Sequence, residues 1–179
     1  MTKAKLHLRR LIASAICLAL ALTLPFLTGQ LQQIGNMLCP MHIPVLLCGY
    51  LCGWPWGLAV GFIAPLLRSA LFGMPVLFPM GVSMAFELAA YGAIAGALYK
   101  HLPKTMKNLC LSLVAAMIGG RILWGGMRFL LAGLTASAFP FSAFLAGAVT
   151  NAIPGIVLQL ILIPLLVAAL KRAGIGYNE

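Results

Sequence analysis

MHIPVLLCGYLCGWPWGLAVGFIAPLLRSALFG, residues 41–73, holds one Lys, Arg, Asp or Glu in 33 positions, Arg68. Gly53-Trp54-Pro55 interrupts the run in its middle, because proline ends a helix. It divides into apolar segments over 38–53 and 56–73. Both fall short of the roughly 20 residues that a bilayer-spanning helix needs. They read as helices that are tilted or partly enclosed by protein.

The rest of the chain has the same character. Of 179 residues, 63% are hydrophobic and 8% charged. A soluble domain of this length would expose large apolar patches. The composition therefore predicts an all-α integral membrane protein, one membrane domain over 1–179. Further apolar segments lie at 10–28, 80–100, 108–133 and 141–170, which makes six. The last contains Pro154 and Pro164, so a kink is expected there. MTKAKLHLRRLIASAICLALALTLPFL resembles a signal peptide in its basic start. Its apolar run is as long as a membrane span, so it is read as a retained first helix.

The formal net charge of +10 would suggest a nucleic-acid partner in a soluble protein. Here the basic residues flank apolar segments. Lys3, Lys5, Arg9 and Arg10 precede the first, Lys100, Lys104 and Lys107 separate the fourth from the fifth, and Lys171 and Arg172 follow the sixth. With six transmembrane helices all three groups fall on one face, the cytoplasmic one, with both the N- and C-termini. The opposite connections, 29–37, 74–79 and 134–140, contain no Lys or Arg.

Four charges lie inside apolar segments: Arg68, Glu87, Arg121 and Arg128. An Arg at mid-bilayer costs roughly 2.5–3.5 kcal/mol on insertion scales. Arg121 and Arg128 are seven residues apart and share a helix face, with Trp124 between them. Glu87 neutralises one Arg at most, which leaves an excess of guanidinium in the outer half. Guanidinium groups present a planar fork suited to carboxylate or phosphate, so an anionic ligand is expected. Trp124 offers stacking area. Asn151 lies at comparable depth on the last segment. The outer connections 30–42 and 72–80 read as lids over a pocket.

Small residues recur every four positions, a spacing that lets helices approach closely in lipid. Gly49, Gly53, Gly57 and Gly61 form one series, Gly92 and Gly96 another, and Ala15 and Ala19 a third. The five cysteines are read as buried packing residues and not as metal ligands, since no second Cys/His pair accompanies His42, Cys48 and Cys52.

Residues 41–73 resemble the second-to-third-helix region of the substrate-binding S-components of energy-coupling factor (ECF) vitamin transporters. The shared features are Ile43-Pro44, the Gly53-to-Gly57 bend, Arg68, six helices, cytoplasmic termini and Ala15-x-x-x-Ala19. The resemblance implies a high-affinity binding subunit in a bacterial plasma membrane. Its implied partners are a transmembrane coupling protein, contacted by Ala15 and Ala19, and two ATP-binding cassette ATPases. It implies a substrate site among Glu87, Arg121, Trp124, Arg128 and Asn151, with Asn36 and His42 from the first loop; Arg68, near the outer end of the third helix, is a further candidate from its own charge at depth. No cofactor or metal is implied, and no phosphate-loop motif is present, so hydrolysis falls to the partner ATPases. The Arg excess favours pantothenate, with folate, niacin, lipoate or a phosphorylated compound as alternatives.

Two other classes compete. A membrane enzyme acting on lipid or isoprenoid phosphates would suit the arginines, but Glu87 alone is too little carboxylate for magnesium chemistry. A small channel or stand-alone secondary transporter would carry an inverted repeat or a proton relay, and neither is evident.

Overall fold

The computed structural model describes residues 3–28, 38–134, 140–148 and 152–175. Every regular element among them is helical. α1 is Lys3–Thr23, followed by a 3-10 turn, Leu24–Thr28. α2 is His42–Cys52, α3 Trp54–Phe72, α4 Val82–His101 and α5 Met106–Leu134. A single π turn, Leu77–Gly81, leads into α4. α6 is Phe141–Ala148 and α7 Ile153–Arg172.

Five of these stretches are long and apolar enough to cross a membrane: Lys3–Leu27, Trp54–Phe72, Leu77–His101, Met106–Leu134 and Ile153–Arg172. α2 is different. Its 11 residues span about 16 Å, roughly half a hydrocarbon core, and every one of them is buried. It is the enclosed helix that its length suggested. The segment expected over 141–170 divides into α6 and α7. Pro154 lies in the first turn of α7, where a proline's missing N–H costs nothing. Pro164 sits inside an uninterrupted helix.

Glycines fix how α2, α3 and α4 meet. A Cβ added to Gly92 would lie 2.3 Å from the Gly57 carbonyl oxygen, and one on Gly61 2.3 Å from that of Leu88. A Cβ on Gly49 would lie 2.5 Å from the Gly92 carbonyl. The spaced glycines therefore hold three helices of this chain backbone to backbone. The elbow between α2 and α3 turns at Gly53, whose φ of 102° excludes most side chains. Gly96 receives it: a Cβ there would meet the Trp54 amide nitrogen at 2.6 Å.

Ala15 and Ala19 are exposed, as are Leu11, Ile12, Ile16 and Leu20 around them. Ser14, Cys17 and Ala21 form the buried side of α1. This small-residue pair is thus not consumed by packing within the described residues.

Several of the basic residues that flank the apolar segments gather at one end. His7 and Arg10 of α1 line a cavity with Lys100 at the end of α4. Lys104 and Lys171 both stand over the Tyr99 ring, 4.2 and 4.9 Å from its centroid. The N-terminal part of α1, the end of α4 and the end of α7 therefore share a side of the bundle.

Candidate functional site

The opposite end of the bundle holds a buried ionic cluster. Glu87, the sixth residue of α4, is 1% exposed. Arg121 on α5 donates from Nη1 to Glu87 Oε1 over 3.0 Å. His42, the first residue of α2, places Nε2 at 3.3 Å from the same oxygen. Arg121 Nη2 donates to Cys39 Sγ at 3.5 Å. Three helices and the chain entering α2 thus converge on one carboxylate.

The sequence builds this convergence locally. Cys39 has a φ of 49°, a left-handed conformation uncommon outside glycine. Its carbonyl accepts from the His42 amide at 3.1 Å, so the chain reverses and starts α2 with His42. Tyr91, one turn after Glu87 on α4, meets the His42 ring edge-on at 4.8 Å. Its ring occupies the space that Gly120 leaves, where a Cβ would lie 2.3 Å from Tyr91 Cδ2. Gly120 precedes Arg121, so the same glycine lets α5 bring its guanidinium onto Glu87.

The ion pair explains how this chain tolerates charge at depth. A buried charge is stable only when paired and hydrogen-bonded. Glu87 and Arg121 neutralise each other. His42 adds a second contact, its Nε2–H donating while Nδ1 faces elsewhere. Two buried polar atoms of the cluster, His42 Nδ1 and Arg121 Nε, have no hydrogen-bond partner among the described residues. A ligand acceptor suits Arg121 Nε, and a ligand hydroxyl or amide suits His42 Nδ1.

Around the cluster lies an aromatic wall. The Arg121 guanidinium carbon sits 6.0 Å from the Trp124 ring centre. Trp124 stacks on Phe144 of α6 at 6.2 Å. Neighbours fill the space beside three of the four glycines of this stretch. A Cβ on Gly125 would strike the Phe144 ring at 2.2 Å and one on Gly119 the Ile94 side chain at 2.5 Å, whereas one on Gly126 meets nothing within 4 Å among the described residues. The α5 glycines therefore serve packing more than they leave room for a ligand.

The other sequence candidates separate. Arg128 is half-buried on α5, two turns beyond Arg121. Arg68 stands apart from the Glu87 cluster in a cage of its own. It donates to the Leu22 carbonyl of α1 and lies 4.9 and 5.3 Å from the centres of Phe26 and Phe72. It ties α1 to α3. Asn36 and Asn151 lie outside the described residues. Cys39 and Tyr91 are members of the cluster that the sequence did not mark. Tyr91 carried a signal, its four-residue spacing from Glu87; the turn at Cys39 carried none. Cys17, Cys39, Cys48 and Cys52 are buried thiols. Among the described residues no three His, Cys, Asp or Glu side chains converge as metal ligands.

Five long apolar helices, a short enclosed one and a neutralised ion cluster between them define a multi-pass membrane protein. The family model described as ECF transporter, substrate-specific component, matches residues 9–167. The chain belongs to that family, and it is therefore a transporter subunit and not an enzyme. No curated protein and no solved structure matches the chain.

Proposed function

We propose that this chain is the high-affinity binding subunit of an ATP-driven importer for an anionic, water-soluble vitamin or related micronutrient. α2 completes a sixth, protein-enclosed pass, and both termini face the cytoplasm. The lysine and arginine bias supports that orientation. The Glu87–Arg121–His42 cluster then opens toward the outside, where scarce substrate is captured. A transmembrane coupling protein and two ATP-binding cassette ATPases supply the energy, and the exposed Ala15–Ala19 face of α1 is the docking surface for the coupling protein.

One observation carries the choice of substrate class. Arg121 spends its Nη groups on Glu87 and Cys39, while its Nε, a charged and buried donor, has no hydrogen-bond partner among the described residues. A carboxylate or phosphate accepting from Arg121 Nε would satisfy it with a charge-assisted bond, with Trp124 as apolar contact and Arg128 two turns further out on the same helix face. Pantothenate is the first candidate. Folate, niacin and lipoate carry the same group.

The test is equilibrium binding of labelled pantothenate, folate, niacin and lipoate to the purified chain. One of them should bind, and Arg121→Ala should weaken it by at least about tenfold, a loss of about 1.4 kcal/mol. Unchanged affinity in a folded Arg121→Ala protein removes Arg121 from the site. Binding of thiamine in place of the anions overturns the substrate class.

A further inference from the structure

At the basic end, about 16 Å along α2 from His42, lies a cavity of about 290 Å³. Its polar lining is His7 and Arg10 of α1 and Lys100 of α4. Its walls include Trp54 and Trp56, which flank Pro55 just beyond the Gly53 elbow. The elbow cannot shift easily, because its backbone is seated on Gly96. The site is therefore built on parts of four helices, α1 to α4, and does not depend on a surface loop.

We propose that this cavity binds the phosphate headgroup of an anionic phospholipid from the adjoining leaflet. Charge points to an anion: three basic side chains line the cavity. Size points to a headgroup, since 290 Å³ is at the lower limit of small-molecule sites and too small for a peptide. Position points to lipid. Trp54 is 46% exposed beside a basic cluster at a helix end, the arrangement in which indoles settle at the membrane–water boundary. Basic pockets between helices at that level recognise lipid phosphates. His7 lies edge-on to Trp56 at 6.3 Å, so a bound phosphate would fix α1 against the elbow.

The experiment places the full chain in nanodiscs of mixed phosphatidylglycerol and phosphatidylcholine. Native mass spectrometry then reads which lipids stay bound. The parent should retain phosphatidylglycerol preferentially. The Arg10→Gln/Lys100→Gln variant should lower the retained ratio at least about fivefold, the worth of about one basic contact at a membrane surface. Lys100→Gln alone, at an exposed helix end, should lower it in the same direction and decides the matter if the double variant fails to fold. Lys3→Gln/Lys107→Gln removes as much charge from the same end but does not touch the cavity, and should lower the ratio clearly less than the cavity variant. Equal losses in the two double variants mean diffuse surface charge and overturn the site. So does an absence of headgroup preference in the parent. Displacement of the lipid by millimolar glycerol 1-phosphate assigns the cavity to a soluble phosphate and overturns the lipid. Unchanged lipid retention in both cavity variants, with failure to assemble with the coupling protein, assigns it to a protein contact and likewise overturns it.

Discussion

Glu87→Gln is the perturbation whose consequences follow most directly from the geometry. The Arg121–Glu87 contact is 3.0 Å. Two unit charges at that distance, at an effective dielectric of about 20, attract by about 5.5 kcal/mol. The substituted amide keeps an acceptor oxygen, which retains about 1–2 kcal/mol of hydrogen bond to the guanidinium. The expected net cost is about 3–5 kcal/mol, the range for breaking a buried pair while leaving the other charge behind. In a chain of this length that corresponds to a fall of about 10 °C in Tm, readable by thermal unfolding in detergent. Arg121→Met alone should cost a similar amount, because it strands the carboxylate. Combined with Glu87→Gln it should recover to within about 1–2 kcal/mol of the parent, since no net charge then remains buried. A Glu87→Gln protein within about 2 °C of the parent would refute the reasoning. So would a double variant whose losses simply add, because additivity means the two groups do not interact.

Other outcomes follow from packing and exposure. Gly92→Ala should destabilise by at least about 1–3 kcal/mol, because its Cβ meets backbone at 2.3 Å. Gly126→Ala, with nothing within 4 Å among the described residues, should be neutral or stabilising by up to about 1 kcal/mol; thermal unfolding of both variants checks the contrast. Ala15→Leu with Ala19→Leu should leave substrate affinity unchanged and impair uptake by the assembled importer. Full transport by that variant would remove the α1 face from docking.

Much of the architecture was legible as apolar runs. The segment expected over 108–133 is α5, Met106–Leu134, and the one over 56–73 is α3, Trp54–Phe72. Hydropathy marks where a chain can sit in lipid, so it locates long helices well. It does not mark a break between two apolar helices, and the segment over 141–170 concealed the junction of α6 and α7. The proline at the start of α7 was the available signal. Glu87, Arg121, His42 and Trp124 could be selected from sequence because charge and aromatic bulk at depth need a reason. Which Arg meets Glu87 could not, since it depends on how closely α4 and α5 approach, and Gly120 against the Tyr91 ring decides that. Arg68 shows the complementary difficulty. Its depth resembles that of a ligand residue, and in the fold two phenylalanines and a carbonyl surround it. Phe72, four residues on, was the visible hint.

The central claim is that the Glu87–Arg121–His42 cluster belongs to the capture site for an anionic micronutrient. Mass spectrometry of the chain purified from its membrane without added ligand tests it most directly. One vitamin-like carboxylate or phosphate should be recovered per chain, and it should be lost when Arg121 is replaced by Ala in a protein that remains folded. A stoichiometric cationic ligand, or an anion retained undiminished by the Arg121→Ala protein, would contradict it.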